Sequence, residues 1–405
     1  MTCSSHKPPT DRPRVAIVGA GVVGLGVGWR LAQAGCRVDV YDKGAAGRGA
    51  TWAAAGMLAA GAEVEPGEEK LFALNRRSQL MWPDFAAEVE DASGIPVGYR
   101  AEGTLVVATN RDELRQLQFT FDVQRRFGVE SRQVSAAEAR TMEPYLRASV
   151  AGGIFCPEDH QVDNRPLVQA LAKLAADAGV RVHEHMPVRR IVVEGGRAVG
   201  LDVGESFQPA DIVLLAAGPW SREIGGLPPE VLPPVRPIKG QMLALQMDPA
   251  EPLVRHVLWA PKIYLVPRND GRLIVGATVE ERGFDTTITA GGLLALLEAA
   301  WRAMPGIEEL PVVETWVGFR PGCRDDAPIL GPSGVDGLVY ATGHHRNGIL
   351  LAPLTIDLVS RMILTGETPE PLLPFGLDRF QGGRRPALAT APHLAPNTAR
   401  ETAPA

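Results

Sequence analysis

The chain lacks the segments that define several large protein classes. Nowhere in its 405 residues do 18 apolar residues run together, so the sequence predicts no transmembrane helix. The opening MTCSSHKPPTDRP carries no apolar stretch of the kind an export signal needs. Residues 1–13 are expected to be a disordered leader, and the protein is expected to be cytoplasmic. Cysteine is scarce, with four residues at 3, 36, 156 and 323. None forms a CxxC pair or a metal-type spacing, which predicts free thiols in a reducing compartment and no metal site. Positive charge is in deficit: 41 Lys and Arg against 47 Asp and Glu leave −6, which argues against nucleic acid as a partner. Basic amphipathic helices suited to a membrane surface are missing as well, and no internal repeat is visible. His183 and His185 are expected to share a strand face, but no third ligand stands near them.

What remains is 45% hydrophobic and 22% charged, an ordinary globular composition with material for two or three domains. Its most informative stretch is RVAIVGAGVVGLGVGWRLAQAGCRVDVYDKG, residues 14–44. The apolar run Val15 to Val18 enters Gly19, Gly21 and Gly24, a helical segment follows, and a second apolar run ends at Asp42. Gly19 permits a tight turn, Gly21 lets backbone approach a pyrophosphate, and Gly24 lets the helix pack on the strand. The helix N-terminus offers N–H groups to phosphates, and Asp42 stands where an acid accepts from a ribose hydroxyl. This frame predicts dinucleotide binding.

Small residues continue through 44–61, GAAGRGATWAAAGMLAAG, which suggests backbone packed against a flat or phosphorylated ligand. Helical spacing is expected over 68–92, 111–127 and 289–304, with a strand at 104–109. Asp163 is a candidate N-cap and Pro166 suits the first turn of a helix that stops at Gly179. VRVHEH reads as a strand, Gly195 and Gly196 as a hairpin turn, 211–220 as a buried strand, and NDG at 269–271 as a second hairpin turn. The pattern predicts an α/β fold. A discontinuous Rossmann-like domain (14–98, 150–222 and 321–380) is interrupted by an inserted α+β substrate domain on an antiparallel sheet (99–149 and 223–320). The Pro/Ala-rich segment 381–405 is expected to be a disordered tail.

Several motifs in one order carry a resemblance. They are VGAGVVGLGVGWRLAQAG, AAAGML at 53–58, VDNRPLVQAL to MPVRRI at 162–191, LLAAGPWS at 214–221 and KGQ at 239–241. YLVPR at 264–268, GRLIVGAT at 271–278, FRPGCRDDAPILGP at 319–332 and ATGHHRNGILLAP at 341–353 complete the set. Over residues 14–375 the chain resembles the FAD-dependent amine and amino-acid oxidases of the D-amino-acid oxidase superfamily, and among them the glycine oxidases of thiamine biosynthesis. The resemblance implies noncovalent FAD, because Cys323 does not fall where the attachment cysteine of some sarcosine oxidases would fall relative to Asp326.

The resemblance also implies site residues. Gly19, Ala20, Gly21, Val22, Val23 and Gly24, with Asp42 and Lys43, would hold the ADP half of FAD. Many members have Glu where Asp42 stands. Thr51, Ala54, Ala55, Gly56 and Met57 would lie along the flavin. Val188 would pair its backbone with adenine, and Ala217, Gly218 and Trp220 would make a second dinucleotide contact. Arg346, Asn347, Gly348 and Ile349 would open the last helix at the flavin N1–C2 carbonyl edge, where a helix N-terminus stabilises the reduced anion, with His345 as a further cofactor contact. Arg320, in FRPG, matches the carboxylate-binding arginine, and Tyr264, in YLVPR, the tyrosine that supports the same carboxylate. No side chain is expected to be catalytic, since flavin carries the redox step. His344 and His345 read as loop histidines near the flavin. The implied reaction is oxidation of glycine, sarcosine or small D-amino acids by hydride transfer to flavin N5, with O2 reduced to H2O2, in a homo-oligomer of tetrameric type. Two alternatives stand beside it: a D-amino-acid dehydrogenase with a quinone or other acceptor, and a dinucleotide-binding module without catalysis.

Overall fold

The computed structural model describes residues 13–380; the expected tail, and the expected leader apart from Pro13, lie outside the described residues. The first strand, Arg14–Val18, pairs in parallel with Arg37–Tyr41 on one side and Ile212–Leu215 on the other. Arg181–His183 extends the sheet beyond Arg37–Tyr41. Leu338–Thr342 and the antiparallel edge strand Ile329–Pro332 extend it beyond Ile212–Leu215. The chain thus leaves the first strand in both directions, which opens a crevice at the carboxyl ends of the strands.

Glycine sets how closely helix and sheet approach. Gly19 has φ +106°, and a Cβ there would lie 2.4 Å from the Ala216 carbonyl oxygen. A Cβ on Gly24 would lie 1.9 Å from the Gly19 carbonyl oxygen, so the helix Val22–Gln33 rests directly on the turn. Gly26 lets the helix Ala352–Thr365 press Ile356 against the same helix.

A second sheet has eight strands, in the order Val312–Gly322, Arg236–Gln246, Arg272–Gly276, Ile263–Pro267, Val257–Ala260, Thr104–Ala108, Gly152–Cys156 and Arg132–Ser135. Two particulars depart from the expected organisation. Gly152–Cys156, grouped by sequence with the dinucleotide segment 150–222, pairs antiparallel with Thr104–Ala108 and Arg132–Ser135 in this second sheet. Its glycines leave the backbone room to nest: a Cβ on Gly153 would lie 2.2 Å from the Val106 carbonyl oxygen. The sheet is also not purely antiparallel, because Val257–Ala260 runs parallel to Thr104–Ala108. A long connection imposes no hairpin direction on the strands it joins.

Local signals fare well elsewhere. Helices span Glu69–Ser93, Arg111–Arg126 and Ala290–Ala303. Asp163 caps Asn164–Asp177 by accepting from the Arg165 N–H. Gly195 and Gly196, both at positive φ, turn Val188–Glu194 into Arg197–Val203. The strand at 180–185 is shorter than its pattern: it ends at His183, and His185 sits in a turn at φ +56°. The two histidines therefore share no strand face, and His183 instead stacks on Tyr41 and reaches Asp39 at 2.9 Å.

The Gly24 contact yields a test. Gly24→Ala forces a methyl group into backbone and should cost about 1–3 kcal/mol of stability, read from denaturant unfolding.

Candidate active site

The carboxyl ends of the first sheet and one face of the second border a cavity of about 1010 Å³, at the upper end of the range for small-molecule sites. At the end bordered by the glycine turn stand Gly19, Gly21, Val22, Val23, Asp42 and Lys43. The helix Val22–Gln33 begins at Gly21 without a side-chain cap and without an acidic residue in its first turn, a start suited to an anion. The Val22 N–H donates to Thr51 Oγ1 at 3.1 Å, which ties the turn to the small-residue loop. Asp42 Oδ2 accepts from the Ala20 N–H at 2.8 Å and Oδ1 from the Gly44 N–H at 2.9 Å. Both oxygens keep acceptor capacity for hydroxyls. Val188, Ala217, Gly218 and Trp220 line the same end. Lys43 Nζ sits 3.6 Å from the Trp220 ring centroid, and burial lowers its pKa. Trp220 in turn stacks on Phe284.

The middle of the cavity is walled by Thr51, Ala54, Ala55, Gly56 and Met57. Gly56, at φ +69°, is pressed on the Val162 carbonyl: a Cβ would lie 2.0 Å from its oxygen. Arg268 locks this loop. Buried to 5% exposure, it donates to the Ala55 carbonyl at 2.7 Å, the Val162 carbonyl at 3.0 Å, Gln161 Oε1 at 3.0 Å and Asn164 Oδ1 at 3.2 Å. Trp316 Nε1 adds a bond to the Ala53 carbonyl at 3.1 Å.

The far end is built on the second sheet. Tyr264, on Ile263–Pro267, faces Gly276 across the ladder, and Arg320 lies on Val312–Gly322 opposite Ile238. Glycine clears space for both side chains. A Cβ on Gly276 would lie 2.7 Å from the Tyr264 hydroxyl, and one on Gly240 would lie 2.7 Å from Arg320 Nη1. Arg320 Nη1 also donates to the Thr278 carbonyl at 3.2 Å. Burial pushes the Tyr264 hydroxyl pKa up and outweighs the opposing pull of the Arg320 charge, so the hydroxyl stays protonated.

The segment 346–349 departs from the expected helix start. The last α-helix starts at Ala352, with Pro353 in its first turn, and His345–Asn347 form a separate 3-10 turn ahead of it. His345, Arg346, Gly348 and Ile349 line the cavity. Asn347, Ala20 and Gly24 stand behind its wall; Gly24 carries the helix packing, and the Asn347 carbonyl accepts from the Leu351 N–H at 2.8 Å. His344 also lines the cavity, hydrogen-bonded to Thr355 Oγ1 at 3.2 Å, and burial pushes its pKa down to about 4. Burial likewise takes His345 down to about 4, against the opposing pull of Asp326.

Sequence reasoning missed Glu63. Its side chain lines the cavity, and Oε2 lies 2.7 Å from Arg346 Nε. Burial raises its carboxyl to about 7; Asp159 and Glu68 push the same way, and Arg346 and Arg320 oppose. No local signal marks it, because its partners come from distant turns. Arg268 was visible within YLVPR, and only the fold reveals what it holds.

Comparison with known proteins adds to this geometry. The family model described as FAD-dependent oxidoreductase (DAO) matches residues 14–362. The glycine oxidase of Geobacillus kaustophilus is 36% identical over 92% of this chain and 98% of its own length. Its crystal structure superposes with a TM-score of 0.84, covering 91% of this chain and 99% of that one. A bifunctional protein ThiO/ThiG of Trichormus variabilis is 36% identical over 91% of this chain, which spans 55% of that longer protein. An iminodiacetate oxidase from Chelativorans sp. BNC1 is 29% identical, with a TM-score of 0.80 over 90% of this chain and 98% of that one. The uncapped helix start, the acid at 42, and the small-residue wall suit FAD.

Two measurements probe the site's construction. Arg268→Met leaves four buried acceptors unpaired, while Asp163 keeps Arg272 at 2.6 Å, and should cost about 1–3 kcal/mol for each acceptor left unsatisfied, read in denaturant unfolding. His344 is held neutral by burial, so the unfolded chain binds its proton more tightly. Its contribution to stability is complete above the ordinary value of 6.5 and is lost as pH falls toward about 4. His344→Gln should flatten the acid limb of a stability–pH curve in that window.

Proposed function

The chain belongs to the FAD-dependent oxidoreductase family, and from that premise we propose that it oxidises glycine, with sarcosine and small D-amino acids as further substrates. Electrons pass to O2, which leaves as H2O2. The observation that carries this reading is the pairing of Arg320 and Tyr264 in a cavity continuous with the dinucleotide end. The similarity to glycine oxidase supports it.

In this reading Arg320 takes the substrate carboxylate through two parallel N–H···O bonds, which fixes orientation as well as affinity. The protonated Tyr264 hydroxyl donates to the same carboxylate. Gly240 and Gly276 keep both groups free to swing onto it, and Met242, Trp259 and Met57 supply an apolar surround that keeps water away. When bound, FAD supplies the acceptor for the hydride that leaves the substrate Cα. Fixing the carboxylate aims Cα at one face of the ligand, and positioning of this kind is the protein's main contribution. Asp42 would hold the ribose, the helix start at Val22 and Val23 the pyrophosphate, and the Val188 backbone the adenine. The segments 53–57 and 345–349 would flank the flavin. The first sheet with its helices forms the cofactor-binding part and the eight-stranded sheet the substrate-binding part. The imine product either hydrolyses to oxo acid and ammonia or supplies the thiazole of thiamine, and a homo-oligomer, a tetramer by resemblance, belongs to the same proposal. Among the described residues no helix is long and apolar enough to cross a membrane.

A peroxide assay across glycine, sarcosine, D-alanine and D-proline tests the reading, with glycine giving H2O2. Turnover that needs an artificial acceptor and yields little peroxide would favour a dehydrogenase. Arg320→Ala should lower kcat/KM by the equivalent of about 2–5 kcal/mol, as expected when one partner of a buried charge pair is lost; an unchanged value would support a binding module without catalysis.

A further inference from the structure

Arg320 has company in the cavity. Arg346 lines it too, from the 3-10 turn His345–Asn347, and Glu63 is close enough to both guanidinium groups that each lowers its pKa. A second guanidinium near the first is a receptor for a second carboxylate. Arg346 is already engaged, however. Nε lies 2.7 Å from Glu63 Oε2, and Nη2 lies 3.4 Å from Glu65 Oε1 and 3.5 Å from Glu68 Oε2. Of these three acids Glu63 is the least exposed, at 11% of its side chain, and the one that lines the cavity.

Glu63 is also held in place. Arg346 Nη2 donates to its carbonyl at 3.3 Å. The two residues before it are pinned by Asp159, which accepts from the Gly61 N–H at 2.9 Å and the Ala62 N–H at 2.5 Å. Gln79 Nε2 donates to Asp159 at 2.7 Å. These bonds fix the backbone at Glu63, and the ion pair with Arg346, which lacks hydrogen-bond geometry, keeps its carboxylate beside that guanidinium.

We infer that Glu63 sets the substrate class: by occupying Arg346 and presenting its own charge to the cavity, it restricts the site to amino acids with one carboxylate and excludes amino dicarboxylates. The inference rests on the amino-acid oxidase reading above. The first carboxylate goes to Arg320. A second would have to displace Glu63 from Arg346 or lie against a like charge, and both raise the energy of the complex.

The test uses the flavin-loaded protein at about pH 8.5, where Glu63 is ionised. Glu63→Gln keeps shape and removes charge; Glu63→Ser removes charge with less bulk, should the first variant not retain flavin. Two readouts are taken: turnover of iminodiacetate against glycine, and perturbation of the flavin spectrum by malonate against acetate, neither of which is oxidised. In the variant the iminodiacetate-to-glycine ratio of kcat/KM should rise about tenfold or more, malonate should tighten relative to acetate, and adding Arg346→Gln should abolish both gains. Unchanged ratios overturn the inference. So does a rise in glycine KM without any gain for dicarboxylates, which would make Glu63 a partner of the substrate amine, or a gain that survives loss of Arg346. Failure of the parent protein to oxidise any amino acid, while malonate still tightens in the variant, would sink the oxidase reading and leave the charge argument standing.

Discussion

Two sheets of separate construction share one cavity, and the buried Arg268 guanidinium is the tie on which that sharing depends. It leaves the end of Ile263–Pro267, the strand that carries Tyr264, and donates to carbonyls at Ala55 and Val162 beside the first sheet. Burying a guanidinium is costly unless its donors are met. Here four acceptors meet Nη1 and Nη2, while Nε has no hydrogen-bond partner and faces Asp163 Oδ2 at 3.9 Å, and the geometry they demand sets the small-residue loop against the strand that carries Tyr264. Gly318 completes the fit, since a Cβ there would lie 2.3 Å from that of Ala53.

Around that tie the charged groups stand at the two ends of the cavity. At one end the uncapped helix start and Asp42 wait for an anion and for hydroxyls. At the other, Arg320 donates to the Thr278 carbonyl and to the Tyr264 hydroxyl, while Arg346 is compensated by Glu63, Glu65 and Glu68. The same low-dielectric surroundings that strengthen these pairs hold His344 and His345 neutral and raise the Glu63 carboxyl to about 7. On the proposed reading, Arg320 takes one carboxylate in one orientation while Arg346 stays engaged by Glu63.

What was legible in the sequence was local. The strand–glycine–helix turn, the Asp163 cap and the NDG hairpin are each written in a few consecutive residues, and each stands where its pattern puts it. What was not legible depends on partners far away in the chain. Gly240, Gly276 and Gly318 look like ordinary strand glycines until the register sets them against Arg320, Tyr264 and Ala53. Gly152–Cys156 has a strand's composition but nothing in it to say which sheet it joins. Glu63 lies in a loop with no motif, and its meaning comes from Arg346, nearly three hundred residues later. The last helix shows the limit of reading by resemblance: the motif suggested a start at 346, whereas the helix begins at Ala352 with Pro353 in its first turn.

The central claim is that substrate held by Arg320 and Tyr264 gives its hydride to FAD bound along the first sheet. Anaerobic mixing of the yellow holoprotein with glycine, followed by flavin absorbance, tests it most directly. The account predicts bleaching at a rate that saturates with glycine and slows when the Cα hydrogens are replaced by deuterium. Absorbance that persists with glycine and with every small amino acid tried would contradict it.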